Sequence, residues 1–115
     1  MQSVNVVFHI DENEKWPLVL ANIRNLTHVV DVPSSNIEVL VNSKAVSVFD
    51  GVTLPAHTEK IAELALLGVQ FSVCRNSLNG LQIQVESLPT FIKIVPVGVL
   101  ELIEKQNKGA AYIKP

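Results

Sequence analysis

Short apolar runs alternate with longer amphipathic segments along the whole chain. The apolar runs are rich in β-branched residues and are typical of buried parallel strands. They are residues 4–10 (VNVVFHI), 37–41 (IEVLV), 69–73 (VQFSV), 92–95 (IKIV) and 110–113 (AAYI). The segments between them predict a helix with Pro17 in its first turn and further helices over residues 58–67, 76–81 and 98–108. Residues 43–57 are less regular and predict a short helix or irregular segment followed by a loop.

This alternation indicates the fold class. Strands that alternate with helices form βαβ units, whose right-handed crossovers build a parallel sheet with helices on both faces. The chain of 115 residues has neither an internal repeat nor a linker-like stretch. We therefore expect a single α/β domain over residues 1–115.

The composition of the chain limits which binding partners and which cellular location we expect. Charged residues make up 17% of the chain and mean hydropathy is +0.32, which suggests more apolar surface than one small domain can bury, so we expect an oligomer. A net charge of -2 and 5% aromatic residues argue against nucleic acid. The apolar tract 91–103 is interrupted by Lys93, Pro96 and Glu101 and is too short to span a bilayer. Without a secretory signal at the start, we expect a cytoplasmic protein that does not associate with membranes.

The only cysteine, Cys74, follows the third predicted strand, where a helical turn begins. It cannot form an internal disulfide, which agrees with a reducing compartment. A thiol reacts as its thiolate, and free N–H groups at a helix start lower its pKa. The adjacent Arg75 could add to this effect. The competing interpretation is that Cys74 is inert packing, because free cysteine is among the most buried residue types.

Other polar residues are expected at the same edge of the sheet. They are His9 and Asp11 after the first strand, Asn42 and Ser43 after the second, and Asn76 and Ser77 beside the cysteine. They converge if the strand order is 2-1-3-4-5, which makes the first and third strands neighbours at the switch point. The histidine could then be a general base or orient the sulfur, although a histidine in a strand is more often simply hydrogen-bonded. Because no zinc spacing, GxGxxG or Walker motif is present, we expect no metal and no cofactor.

Several stretches resemble the small stand-alone branch of the DsrE/DsrF-like family. They are FHI at residues 8–10, Trp16, Asn25-Leu26, GVQFSVCRNSL at residues 68–78 and QNKGAAYIKP at residues 106–115. The resemblance implies a three-layer flavodoxin-like fold, with a five-stranded and mostly parallel sheet, assembled into homotrimers or hexamers. It also implies a sulfur relay, in which a strand-end cysteine matched by Cys74 accepts sulfane sulfur as a persulfide and passes it to a partner protein.

The leading hypothesis is therefore a cytoplasmic sulfur-handling protein with Cys74 as nucleophile and persulfide carrier. His9, Asp11, Asn42, Arg75, Asn76 and Ser77 are the candidate binding or orienting residues. The partners expected are further copies of the chain and a sulfur-carrier protein. The alternative is a non-catalytic ligand-binding or assembly module with an inert cysteine. A redox sensor using sulfenic acid is weaker, because the chain has no resolving cysteine.

Overall fold

The computed structural model describes residues 1–115, which form a five-stranded parallel sheet with helices on both faces. The strands are β1 Asn5–Ile10, β2 Asn36–Val41, β3 Gln70–Cys74, β4 Lys93–Val95 and β5 Ala111–Ile113. The helices are α1 Trp16–Thr27, α2 Pro55–Leu67, α3 Arg75–Gly80 and α4 Gly98–Asn107. The irregular segment after β2 begins as a 3-10 helix, Ser43–Phe49. The predicted α/β fold class is confirmed, and each predicted strand and helix is present with small shifts of its ends.

The strand order is 4-3-2-1-5, so the predicted order 2-1-3-4-5 is wrong although the layout stays flavodoxin-like. Each of the first three crossovers moves the chain by one strand in the same direction, which places β2 between β1 and β3. Only the crossover through α4 returns across the sheet, to set β5 beside β1. Because right-handed crossovers that run in opposite directions lie on opposite faces, α1, α2 and α3 share one face and α4 has the other to itself.

The two faces of the sheet differ sharply in polarity. Under α1, α2 and α3 lies the main core of 21 buried apolar residues, with Trp16 and Phe71 among its largest members. The second core cluster has only five members, Val7, Leu40, Val95, Leu102 and Ala110. The face of the sheet that carries these residues and α4 is here named the α4 face. The alternate residues of β1, β2 and β3 on this face include three buried polar side chains, His9, Glu38 and Ser72.

A buried pair of carboxyl groups lies between α4 and the sheet. Lys105 Nζ lies 3.3 Å from Glu38 Oε1 and 4.0 Å from Glu101 Oε2, while Lys93 Nζ lies 3.9 Å from Glu101 Oε2. Burial raises the pKa of Glu101, and the neighbouring Glu38 raises it further. Burial also acts to raise the pKa of Glu38, but the neighbouring Glu101 and Ser72 side chains and the charge of Lys105 lower it overall. Glu101 is therefore the member of the pair that keeps its proton to higher pH.

The start and end of α2 follow from two residues with special backbone properties. The helix begins at Pro55 rather than at the predicted Thr58, because a proline in the first turn has no N–H that needs a partner. Thr58 instead donates its hydroxyl to the Pro55 carbonyl at 2.8 Å, inside that first turn. Gly68 ends the helix with φ +118°, a left-handed conformation that glycine adopts without strain. No helix of the chain has the length and apolar character that crossing a membrane requires.

Candidate functional site

Cys74 is the last residue of β3, and its side chain lies on the α4 face, where it is 5% exposed. The backbone N–H of Gly98, the first residue of α4, donates to Cys74 Sγ at a distance of 3.3 Å. A Cβ atom at position 98 would lie 3.3 Å from Cys74 Cβ and 3.1 Å from Leu40 Cδ1. The absence of a side chain at Gly98 is therefore what lets the start of α4 approach the thiol so closely.

The surroundings of the sulfur favour its anionic form. Burial raises the pKa of the Cys74 thiol, but hydrogen bonds from the Ser77 hydroxyl and from the N–H groups of Gly98, Ser77 and Asn76 outweigh it, so the pKa is lowered. The contact with Gly98 has the clearest hydrogen-bond geometry. Ser77 Oγ accepts the N–H of Ser43 at 2.8 Å, which leaves its own proton available for the sulfur. Cys74 thus lies in a buried but donor-rich environment, which is the kind that activates a thiol.

A row of polar side chains crosses the α4 face towards the cysteine. The pairing of Val41 with Val73 places Asn42 beside Cys74. His9 Nε2 lies 2.9 Å from Asn42 Oδ1, and His9 Nδ1 lies 2.6 Å from the hydroxyl of Tyr112. Tyr112, His9, Asn42 and Cys74 stand on or directly after β5, β1, β2 and β3, and are here named the polar row.

The backbone next to this row is strained. Ser43, which follows Asn42, has φ +55°, a left-handed conformation that is uncommon for residues other than glycine. The hydrogen bond from its N–H to Ser77 Oγ holds it there. Such strain costs on the order of 1 kcal/mol and tends to occur at functional sites, where the surrounding structure keeps it in place.

The predicted site residues are only partly brought together. The expectation that His9 and Cys74 are direct neighbours is wrong, because β2 lies between their strands and Asn42 stands between them. Asp11 instead pairs with Lys114, whose Nζ lies 3.2 Å from Asp11 Oδ1 beside the first strand. Arg75 is exposed and lines a surface groove beyond α3, so it is not among the groups that lower the thiol pKa.

Asn76 contributes to the site through its backbone and not through its side chain. It is exposed, and its part in the site is its backbone N–H. Ser77, by contrast, contributes both its hydroxyl and its N–H. No group of three His, Cys, Asp or Glu side chains is arranged to hold a metal ion.

The sequence interpretation missed two residues of the site, Gly98 and Tyr112. Gly98 was read only as the start of a helix, yet a glycine in the first helical position beside apolar residues is a signal of close packing. Tyr112 is the only tyrosine of the chain and lies in the tail that carries part of the family resemblance. Its role depends on β5 lying beside β1, which a periodic pattern does not reveal.

The model of the DsrE/DsrF-like family matches residues 2–115. The chain belongs to the DsrE/DsrF-like family. A solved structure of the same fold is that of MTH1491, a protein of unknown function from Methanobacterium thermoautotrophicum. It is 31% identical, has a TM-score of 0.87, and the match covers 98% of this chain and 100% of MTH1491. Among curated proteins, none matches the chain significantly by sequence.

Membership of the DsrE/DsrF-like family suggests a role related to a sulfur relay. The polar row and the contact between Gly98 and Cys74 are features of this chain's own structure, and they bear on how a DsrE/DsrF-like cysteine could be activated.

Proposed function

We propose that this DsrE/DsrF-like protein carries sulfane sulfur as a persulfide on Cys74, within a sulfur relay in the cytoplasm. The observation that carries the proposal is the hydrogen bond from Gly98 N–H to Cys74 Sγ at 3.3 Å, which lies among further donors from Ser77 and Asn76. These donors stabilise a thiolate, which is the nucleophilic form of cysteine. The match to the DsrE/DsrF-like family supports the same class of chemistry.

The transfer needs no external oxidant or reductant. The Cys74 thiolate attacks the terminal sulfur of a donor R–S–SH, a new S–S bond forms as the donor's S–S bond breaks, and R–S⁻ leaves. An acceptor thiolate then attacks the terminal sulfur of the Cys74 persulfide, takes that sulfur and regenerates the Cys74 thiolate. The donors around the sulfur would stabilise the anion in both steps. No cofactor is required for this exchange.

The candidate binding residues have distinct parts in the proposal. Ser77 and Asn76 hold the sulfur anion through their hydroxyl and N–H donors. His9 and Asn42 orient the polar side of the site. Asp11 and Arg75 lie further out, where one is paired with Lys114 and the other faces solvent, so both fit contact with an incoming sulfur-carrier protein.

The test is mass spectrometry of the intact protein after incubation with a polysulfide donor. We expect wild type to gain about 32 Da, the mass of one sulfur atom, and to lose it on treatment with dithiothreitol. Cys74→Ser should gain nothing under the same conditions. A wild type that takes up no sulfur, or an adduct that persists in Cys74→Ser, would contradict the proposal.

A second candidate is a non-catalytic ligand-binding or assembly module with an inert cysteine. The observation that favours it is burial, since Cys74 is only 5% exposed. Alkylation by iodoacetamide as a function of pH separates the two. A carrier thiol should titrate below the reference value of about 8.5, and an inert buried thiol should react slowly throughout and titrate above it.

We further propose that the protein is a homo-oligomer, a trimer or hexamer. The outer side of α4 and the residue before it leave four apolar side chains between 48% and 57% exposed, namely Val97, Val99, Leu100 and Ile103. A second copy would bury this surface. Light scattering should give a trimer or hexamer for wild type and a smaller species for Ile103→Glu. The control Asn107→Glu adds the same charge at an exposed polar position of α4, and it should leave the mass unchanged. A monomeric wild type at micromolar concentration would refute the assembly.

A further inference from the structure

The side of α4 that faces the sheet carries only one large apolar side chain. The buried residues of the helix are Gly98, Glu101 and Leu102, so Leu102 is its only buried apolar side chain. The other apolar side chains of α4 are 49% to 57% exposed. Because one buried leucine is a small apolar contact for a helix of ten residues, the position of α4 also depends on its charged side chains.

Lys105 links α4 to the neighbouring strand β2. Its Nζ lies 3.3 Å from Glu38 Oε1 on β2 and 4.0 Å from Glu101 Oε2, one turn earlier on the helix. Lys105 is the only cationic residue within 4.0 Å of Glu38, whose side chain is only 6% exposed. A buried carboxylate without a counter-ion is strongly unfavourable. Glu38 therefore holds Lys105, and with it the second half of α4, close to the sheet.

The same helix begins at the contact with the thiol. The backbone N–H of Gly98 donates to Cys74 Sγ at 3.3 Å, and Lys105 lies about two turns further along α4. Backbone hydrogen bonds tie each turn of an α-helix to the next, so a displacement at Lys105 also moves Gly98. A hydrogen bond weakens when its donor moves away or turns aside. The contact between Glu38 and Lys105 thus bears on the donor that faces the sulfur.

We propose that Glu38 and Lys105 are positioning residues, which hold α4 against the sheet so that the Gly98 N–H stays directed at Cys74 Sγ. The inference rests on the proposed function, since a hydrogen bond to the sulfur favours the thiolate that attacks a sulfur donor. Glu38 is paired with Gln70, four positions before Cys74 on β3, and so lies about 13 Å along the strand from the cysteine. Its effect on the thiol passes through the backbone of α4.

The test measures the thiol pKa, from the pH dependence of alkylation by iodoacetamide, in two variants that remove opposite charges. Lys105→Met and Glu38→Met both keep a long unbranched side chain. If each loosens α4, both should raise the thiol pKa, by about 0.5 to 1 unit. If the two residues acted on the sulfur as charges through space, Lys105→Met would raise the thiol pKa and Glu38→Met would lower it. The sign of the shift in Glu38→Met therefore separates positioning from direct electrostatics.

Two control variants accompany this pair. Lys108→Met removes the same charge at an exposed position directly after α4, and it should titrate like wild type. Lys105→Arg keeps a cation beside Glu38, so it should also preserve the wild-type thiol pKa. Other titratable groups of the α4 face stay unchanged throughout the series, namely His9, Lys93, Glu101 and Tyr112. Circular dichroism melting verifies that each variant is folded under the assay conditions.

A second readout is the NMR signal of the Gly98 amide proton. In wild type it should move when the thiol ionises, because this N–H donates to the sulfur. It should move less in Lys105→Met, whereas a charge effect through space would leave that response unchanged. This measurement is decisive with Lys105→Met alone if Glu38→Met does not fold.

The outcomes separate this inference from the carrier function. If wild type forms the persulfide but Lys105→Met titrates like Lys108→Met, the positioning role is refuted and the carrier stands. If Glu38→Met lowers the thiol pKa, the pair acts by its charges and the inference is again overturned. If the titrations are as expected but wild type forms no persulfide, the positioning by Glu38 and Lys105 is supported and the carrier function fails.

Discussion

Replacing Gly98 by alanine tests whether the close approach of α4 is what activates the thiol. The new methyl group would lie 3.1 Å from Leu40 Cδ1, 3.3 Å from Cys74 Cβ and 3.4 Å from Asn42 Cβ. Carbon atoms in ordinary contact are about 3.5–4.0 Å apart, so the start of α4 must move outward by a few tenths of an ångström. Leu40 is fully buried, and the other two carbon atoms belong to residues at strand ends, so these three atoms cannot move away from the new methyl group instead.

That movement acts directly on the hydrogen bond to the sulfur. The Gly98 N–H lies 3.3 Å from Cys74 Sγ, and a further few tenths of an ångström weaken this bond substantially. We expect the pKa of the thiol to rise by up to about one unit in Gly98→Ala. Stability should fall by about 1 kcal/mol, because overpacking costs about 1–3 kcal/mol and the better helix propensity of alanine offsets up to about 1 kcal/mol.

The assay is the rate of alkylation by iodoacetamide from pH 6 to pH 10, together with urea unfolding. Gly80→Ala is the matched control, because a Cβ at position 80 of α3 meets no atom within 4 Å. It should leave the thiol titration as in wild type. If Gly98→Ala titrates like Gly80→Ala while still folded, the contact between α4 and the sulfur does not set the reactivity of Cys74, and the reasoning from Gly98 is refuted.

Three further predictions concern stability. Because burial and its neighbour raise the pKa of Glu101 in the folded state, its stabilising contribution is complete below the unfolded pKa and is lost as pH rises through the folded value. Glu101→Gln should therefore flatten the decline of urea stability with rising pH above about 4.5, and the exposed control Glu104→Gln should not. Trp16→Phe should lose about 2 kcal/mol in urea unfolding, since Trp16 is fully buried and its indole N–H donates to the Ala45 carbonyl at 3.2 Å. Arg24→Ala should cost no more than about 0.5 kcal/mol in the same assay, because its ion pair with α2 is half exposed on both sides.

The sequence predicts elements well where local chemistry decides them. The β-branched runs became strands, and Gly68 ends α2 in the left-handed conformation that its position suggested. The 3-10 helix Ser43–Phe49 is less clear in the sequence because its apolar residues follow neither a strand nor an α-helix period. Strand order was predicted incorrectly, since the direction in which each crossover travels depends on packing over the whole sheet.

The candidate site was predictable only in part for the same reason. Position along the chain places Cys74 and Asn42 at the ends of their strands, and the alternation of side chains places both on one face. The observed strand order, with β2 between β1 and β3, was needed to identify Asn42 rather than His9 as the neighbour of the cysteine. The contacts of Gly98 and Tyr112 join residues that are far apart in sequence, 24 residues for Gly98 and Cys74 and 103 for Tyr112 and His9.

The crossover through α4 is the only one that runs back across the sheet, and it explains why both α4 and β5 contribute groups to the site. It carries the chain from β4 at one edge to β5 at the other, and so it places α4 alone over the second face. Its helix begins at Gly98, which donates to Cys74, and its strand contains Tyr112, which holds His9 from the opposite side. The polar row is tolerated there because its side chains contact one another, whereas among the apolar residues under α1 and α2 the same side chains would be buried without partners. The topology that was hardest to predict is thus the feature that assembles the environment of the sulfur.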